Sequence, residues 1–179
     1  RAGGYFQEAL ELARASGDQL TVGRSLVQVG NWQVNTESLV EAGGSLTAAL
    51  AIFEAAGDRH AIAETYDLLG IVADMEGDLQ RMRDLLDRAT ALYRELGDLR
   101  GVASTVTTST ATAGIPVFDA IVVPVELARL DVEAAIAESL AITREIGWRA
   151  GEAYALLCVG LYRVDRGEFG PAHAALQEG

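Results

Sequence analysis

Residues 57–78, GDRHAIAETYDLLGIVADMEGD, contain the features from which the fold can be predicted. A Gly-Asp pair begins the stretch, the pair Leu69-Gly70 lies in its middle, and Gly77 follows seven residues later. The residues between these glycines are mostly good helix formers, with apolar side chains at helical spacing. The stretch therefore predicts a helix over residues 59–76, with a turn at each end.

These markers recur along the chain with a period of about forty residues. Gly-Asp pairs begin at positions 17, 57 and 97, and the pair Gly147-Trp148 follows fifty residues after the third. Recurrence of several markers in one register indicates a repeat architecture. The residues thirteen positions after the four turn glycines are Gly30, Gly70, Thr110 and Gly160.

The segments that precede the four turns also align, at 5–16, 45–56, 85–96 and 135–146. Three positions of the aligned segments, referred to as columns, follow one another at intervals of three residues. This spacing places them on one stripe of an α-helix. The small column holds Ala9, Ala49, Ala89 and Ser139, one large apolar column holds Leu12, Ile52, Leu92 and Ile142, and a second holds Phe6, Leu46, Leu86 and Ile136.

The Gly-Asp pair explains how one helix ends and the next begins. Glycine tolerates the positive φ that often follows a helix end, and aspartate accepts hydrogen bonds from the free N–H groups of the next helix. The pair predicts antiparallel neighbouring helices joined by tight turns. Trp148 cannot act as such a cap, so we expect the fourth turn to be weaker or to bury the indole.

Residues 66–70, YDLLG, resemble the start of the first-helix motif of the tetratricopeptide repeat (TPR) superfamily, although Ala73 stands where the family has Tyr. The second-helix pattern, alanine followed four residues later by a large apolar residue, appears at Ala42/Leu46 and Ala172/Leu176. The resemblance implies an all-α fold of antiparallel helix-turn-helix repeats, stacked as a right-handed α-solenoid of about nine helices.

We expect one repeat domain over residues 1–179, and because both ends interrupt a repeat, we expect it to be part of a longer protein. The chain departs from the TPR pattern in its forty-residue period and in lacking proline at the repeat ends. HEAT-like repeats share that period and are the alternative fold.

The resemblance also implies a concave groove lined by the first helices. Such a groove would be apolar with an acidic band, and it would suit a protein or peptide partner with aliphatic anchors and some basic residues. Transferred by repeat register, its residues are Arg24, Val27, Asn31 and Val34, then Glu64, Asp67, Ile71 and Asp74, then Ser104, Thr107 and Ala111, and finally Tyr154, Leu157, Leu161 and Val164.

Composition and motif content argue against several other functions. A formal net charge of −12 disfavours a nucleic-acid groove, which needs clustered cations. The chain has one cysteine, Cys158, and two distant histidines, His60 and His173, without the spacing of a metal site. It contains no nucleophile elbow and no phosphate-binding loop. We therefore expect neither an enzyme nor a cofactor, and a lone cysteine suits a reducing cytoplasm.

The favoured function is a non-catalytic protein-interaction scaffold from a bacterial signalling or transcriptional regulator. Arrays with forty-residue variants are similar to those in such regulators, and the use of Arg without any Lys suggests a GC-rich bacterial genome. The alternative is a small-molecule sensor in which the superhelix encloses a metabolite.

An irregular insertion of about ten residues interrupts the third repeat at about 115–125. Pro116 and Pro124 exclude a regular helix through it. Its apolar side chains could fill the gap between repeats, or they could form an exposed contact for a partner or a second copy. The candidate contact residues are Val117, Phe118, Ile121 and Val122. Together with Asp119 and Glu126, the prolines also exclude a membrane-spanning helix here.

Overall fold

The structure is a computed structural model that describes residues 2–113 and 132–178. Every regular element within these ranges is an α-helix, and helices that follow one another in the chain pack together in pairs. The nine helices are α1 (Ala2–Ser16), α2 (Gln19–Asn35), α3 (Leu39–Ala56), α4 (Arg59–Met75), α5 (Leu79–Leu96), α6 (Leu99–Ala113), α7 (Val132–Glu145), α8 (Arg149–Asp165) and α9 (Phe169–Glu178).

This arrangement confirms the prediction of an all-α fold built from helix pairs. The helix predicted over 59–76 is α4, and it ends one residue earlier than predicted. Helices α2 (Gln19–Asn35) and α8 (Arg149–Asp165) likewise begin two residues after their turn glycines, Gly17 and Gly147. The helix ends could be predicted this closely because a turn residue marks each end of a helix.

The turn at Gly57-Asp58 has the geometry that the dipeptide predicts. Gly57 has a φ of +69°, and the Asp58 N–H donates to the carbonyl of Phe53 with an N···O distance of 3.0 Å. A carboxylate oxygen of Asp58 accepts from the N–H of Ala61 at 3.1 Å, which caps α4. Positive φ recurs at the other turn glycines, Gly17, Gly77, Gly97, Gly147 and Gly167.

The turn at Gly147-Trp148 differs as expected. Trp148 occupies the N-cap position just before α8 and makes no side-chain capping bond. Its indole is half-buried and lies directly against Gly151 in the first turn of the helix. An aromatic contact thus replaces the polar cap at this turn.

The chain divides into two compact units, Arg1–Leu92 and Tyr93–Gly179. In the first unit, one apolar cluster joins α1, α2 and α3 around Phe53, and a second surrounds Leu46 and Val72. In the second unit, Ile136 and Leu156 belong to a cluster shared by α7, α8 and α9.

Glycines allow neighbouring helices to approach closely within each unit. A Cβ atom added at Gly30 would lie 2.7 Å from Leu46 Cγ, and one at Gly70 would lie 2.7 Å from Leu86 Cδ2. At Gly160 the nearest Leu176 carbon would be 2.6 Å away. The three glycines that lie thirteen residues after a turn glycine are therefore contact points between the two helices of a repeat.

One described helix, α3, is long and apolar enough to cross a membrane by length and composition, with a mean hydropathy of 1.4. A single helix of this kind is weak evidence, because a core helix passes the same test. Ala42, Leu46, Ala49 and Phe53 of α3 are buried in the core of the first unit.

Candidate interaction surfaces

Helix α8 carries a continuous apolar stripe on its exposed side. The stripe residues follow one another at intervals of three, four and three, which places them on one helical face. Their exposed fractions lie between 44% and 56%. The opposite face of α8 packs into the core of the second unit through Leu156 and Val159. The stripe consists of Tyr154, Leu157, Leu161 and Val164, all of which were predicted to line a groove.

In the first unit, α2 and the start of α4 flank an open cleft of about 590 Å³. Three predicted groove residues line it, Arg24 and Val27 from α2 and Glu64 from α4. The buried ring of Phe53 also contributes to the lining. The remaining lining residues are Thr21, Ser25, Gln28, Asp58, His60 and Ala61.

One ion pair and one histidine–carboxylate contact surround this cleft. The guanidinium of Arg24 lies 4.0 Å from a carboxylate oxygen of Asp58, which also caps α4. Nδ1 of His60 lies 3.7 Å from the Glu64 carboxylate, one helical turn further along α4. Exposed pairs of this kind stabilise by about 0–1 kcal/mol each, so they leave the cleft polar but easily rearranged.

Asp67 is the most unusual acid of the predicted band. Its Oδ1 atom is buried and has no hydrogen-bond partner among the described residues. Desolvation by burial, and then the charge of Glu64, raise the pKa of the Asp67 carboxyl to about 6. A buried acceptor without a donor costs stability, and a donor supplied by a ligand would remove that cost.

The other first-unit residues of the predicted groove are less open. Ile71 is half-buried and packs against the second apolar cluster of the unit. Asp74 is also half-buried, and Val34 is buried. Asn31 is exposed, and its side chain and carbonyl oxygen both accept from the amide of Asn35. The structure thus brings Arg24, Val27 and Glu64 into one cleft, while Ile71 supports the core.

The position of Thr107 could not be anticipated from the repeat register. Its side chain is buried, and its hydroxyl donates to the carbonyl of Ala103 at 2.8 Å. The same oxygen lies 2.5 Å from the Ser139 hydroxyl on α7. Thr107 therefore belongs to the α6–α7 contact, and the signal that sequence reasoning missed is Ser139 in a column of alanines.

Several predicted residues fall outside what the structure describes. These are the apolar insertion residues Val117, Phe118, Ile121 and Val122, together with the side chain of Ala111. The interpretations offered for the insertion at 115–125 stay predictions.

Within residues 2–113 and 132–178, no group of three or more His, Cys, Asp or Glu side chains could hold a metal ion. Cys158 is buried in α8, and burial raises the pKa of its thiol, which disfavours the reactive thiolate. His173 is exposed on α9.

No protein-family model matches the chain, and no curated protein is significantly similar to it.

Proposed function

We propose that the protein is a TPR-like interaction module that binds a segment of another protein, and that the segment carries aliphatic anchors and basic residues. The apolar stripe on α8 is the observation that carries the proposal. Four large side chains at helical spacing, half exposed to water, form the kind of surface that an amphipathic helix or an extended segment covers.

The energetics of the stripe favour such a partner. Covering apolar surface contributes about 25 cal/mol per Å², so several anchors together would offset much of the entropy lost on association. The side chains lie on one rigid helix, which reduces the ordering needed on binding. A partner with aliphatic residues at matching spacing would gain most from this surface.

The acidic residues of α4 belong to the first unit and, independently of the α8 stripe, suggest a basic component in a segment that binds there. Glu64 is exposed at the cleft, and the buried oxygen of Asp67 has no donor within the described chain. An arginine or lysine of the partner could supply that donor, and charge-assisted bonds are the stronger hydrogen bonds. The net charge of −12 would also speed encounter with a basic segment.

The proposal also includes the kind of protein to which the module belongs. The repeat register and the YDLLG motif resemble TPR arrays of bacterial signalling and transcriptional regulators, which act in the cytoplasm. In that setting the module would hold a partner without catalysing a reaction. Under the same proposal, a second copy of the chain is the alternative partner.

A peptide-display selection tests the binding proposal directly. Random peptides are selected on the wild-type chain and then counter-screened on a Leu157→Glu/Leu161→Glu double variant. The selected peptides should share aliphatic residues at regular spacing, and they should bind the double variant at least about tenfold more weakly.

The matched control is Val40→Glu, which introduces one charge at a strongly exposed apolar residue of α3. This variant should retain peptide affinity, and circular dichroism should show all variants equally helical. A selection that yields no enriched peptides, or peptides that bind the double variant as well as the wild type, would refute the proposal.

A second candidate function is small-molecule sensing, and the cleft between α2 and α4 is the observation that favours it. Its volume of about 590 Å³ lies in the range of ligand sites, and Arg24, His60 and Glu64 offer polar and charged groups for orienting a ligand. A metabolite screen by thermal shift separates the two functions. A ligand whose stabilisation disappears in Arg24→Gln would favour sensing over peptide binding.

A further inference from the structure

The cleft between α2 and α4 brings one guanidinium and two carboxylates together within the first unit. Arg24 of α2 lines it, and so do Asp58, the N-cap residue of α4, and Glu64 of α4. His60 lines it as well and lies beside Glu64. The cleft therefore offers both signs of charge, with its carboxylates outnumbering its guanidinium.

These charged groups lie close to one another without being joined by hydrogen bonds. The Arg24 guanidinium and Oδ2 of Asp58 attract each other at 4.0 Å, but this distance is too long for a hydrogen bond. Oδ1 of Asp58 caps α4 by accepting from the N–H of Ala61. The distance of 3.7 Å between Glu64 and Nδ1 of His60 is also too long. Arg24, Asp58 and Glu64 thus keep hydrogen-bonding capacity that a ligand can use.

Part of the lining between these groups is apolar. Val27 of α2 is half-buried, and Phe53 and Ala61 are buried residues that also line the cleft. Covering apolar surface favours binding, so a ligand with a hydrocarbon stem would gain from lying over these side chains.

The spacing along α4 indicates how long a ligand must be to reach both carboxylates. Asp58 and Glu64 are six positions apart in the sequence, which corresponds to about 9 Å along a helix axis. An extended arginine or lysine, with a hydrogen bond at each end, covers a comparable distance. A cleft of about 590 Å³ has room for such a molecule.

We propose that this cleft binds a free basic amino acid, arginine or lysine. The α-carboxylate of the ligand binds Arg24, its α-ammonium binds the adjacent Asp58, and the charged end of its side chain binds Glu64. The hydrocarbon part of that side chain lies over Val27 and Phe53. Such binding deepens the second candidate function, small-molecule sensing at this cleft, and rests on it, whereas peptide binding at the α8 stripe is independent of it.

Other classes of ligand match the cleft less well. A phosphate or a dicarboxylate would meet Arg24 but would also face two carboxylates, and like charges repel each other. A diamine would meet both carboxylates and offer nothing to Arg24. A zwitterion with one further positive charge has a counterpart for each of the three groups, and charge-assisted hydrogen bonds are the stronger ones.

Isothermal titration calorimetry with analogues of arginine tests each contact separately. Arginine and lysine should bind the wild-type chain. Citrulline, which has a neutral urea of similar shape in place of the guanidinium, should bind at least about tenfold more weakly than arginine. Agmatine, which lacks the carboxylate, and N-acetylarginine, which lacks the ammonium, should be weakened by a similar factor.

Three variants assign these contacts to residues. Arg24→Gln and Glu64→Gln should each weaken arginine binding by about tenfold or more, and Glu64→Gln should bind arginine and citrulline equally well. Asp58→Asn removes a charge while asparagine still caps α4, so it should weaken binding without lowering the midpoint of urea unfolding. The matched controls are Arg14→Gln and Glu41→Gln, at exposed residues outside the cleft lining, and both should bind arginine as the wild type does.

The outcomes distinguish failure of this assignment from failure of sensing as a function. The assignment is wrong if neither amino acid binds, or if binding survives in all three variants. Sensing still stands if another metabolite stabilises the chain and loses that effect in Arg24→Gln, and it falls if no metabolite does so. Equal affinity for arginine and for N-acetylarginine amide would also overturn the assignment, since the cleft would then bind an arginine side chain of a protein segment.

Discussion

The guanidinium of Arg100 lies over the indole ring of Trp148, with Cζ 4.7 Å from the ring centroid. Arg100 belongs to the first turn of α6, and Trp148 is the N-cap residue of α8, at the position where the turns at Gly17, Gly57 and Gly97 have aspartate. The indole therefore lies between a cation on one neighbouring helix and Gly151 of its own helix. Packing and a cation–π contact stabilise this turn in place of a carboxylate cap.

Trp148→Asp would restore the repeat's usual capping residue and remove this contact. A cap contributes about 1 kcal/mol. The lost cation–π contact and the half-buried indole together contribute about 2–3 kcal/mol. We expect a net loss of about 1–2 kcal/mol in the free energy of unfolding, measured by urea denaturation followed by circular dichroism.

Arg100→Gln isolates the cationic part of that contact. It keeps a long polar side chain over the ring and should cost only about 0.5–1 kcal/mol. An aspartate variant as stable as the wild type would mean that Trp148 contributes little to the turn.

The turn residues made most of the fold predictable because their chemistry is local. Gly57 and Asp58 determine a positive φ and a cap through bonds to residues within five positions. The Arg100–Trp148 contact joins residues 48 positions apart, and no local pattern indicates it. Sequence alone therefore predicted where the fourth turn lies, and only structure identified what stabilises it.

The predicted surface residues were harder to place, since a repeat register gives the face of a helix and not what covers it. Leu157 and Leu161 are exposed on α8, while Thr107 is buried although it shares a register position with Leu157. The Thr107 hydroxyl pairs with that of Ser139 from α7, a contact that the register does not indicate.

Gly70→Ala tests the close approach between α4 and α5. The added Cβ would lie 2.7 Å from Leu86 Cδ2, and Leu86 is completely buried and has little room to move. Overpacking costs about 1–3 kcal/mol, which exceeds the gain of about 1 kcal/mol from replacing a helical glycine. We expect the midpoint of urea unfolding to fall.

Gly44→Ala in α3 is the matched control. A Cβ at Gly44 would have no described atom within 4 Å, so only the helix propensity changes. This variant should be more stable by about 0.5–1 kcal/mol. If both substitutions shift stability in the same direction, the close packing at Gly70 does not limit the α4–α5 contact.

The buried carboxyl of Asp67 should make stability depend on pH. Its pKa is raised from 3.8 to about 6, so the folded chain binds this proton more tightly than the unfolded chain does. The stabilisation is complete below about pH 4 and is lost as pH rises through about 6. One pKa unit corresponds to about 1.4 kcal/mol, so the ionised group destabilises the folded chain by at most about 3 kcal/mol.

Asp67→Asn should remove this contribution. The variant should gain stability relative to the wild type at about pH 7.5 and gain much less at about pH 4.5, as measured by urea unfolding at both values. Asp87→Asn on the exposed side of α5 controls for the loss of one negative charge. An equal gain for Asp67→Asn at both pH values would show that ionisation of Asp67 does not govern the effect.

A double-mutant cycle tests whether Thr107 and Ser139 act as one unit. Thr107→Val removes the 2.5 Å partner of the Ser139 hydroxyl and leaves it a 3.3 Å contact with the Ala103 carbonyl. We expect a loss of about 1–2 kcal/mol, whereas Ser139→Ala, which restores the alanine of the other repeats, should cost less than about 1 kcal/mol.

The two substitutions together should cost less than the sum of their separate effects, with a coupling of about 0.5–1.5 kcal/mol, because removing both hydroxyls leaves no buried polar atom unpaired. Thr108→Val provides the reference. Within the described residues, the Thr108 hydroxyl donates to the Ser104 carbonyl of its own helix and does not contact α7 through a hydrogen bond. It should show no coupling to Ser139→Ala. Strict additivity for Thr107 and Ser139 would mean that the α6–α7 contact depends on packing alone, and that the hydroxyl pair only fills space between the helices.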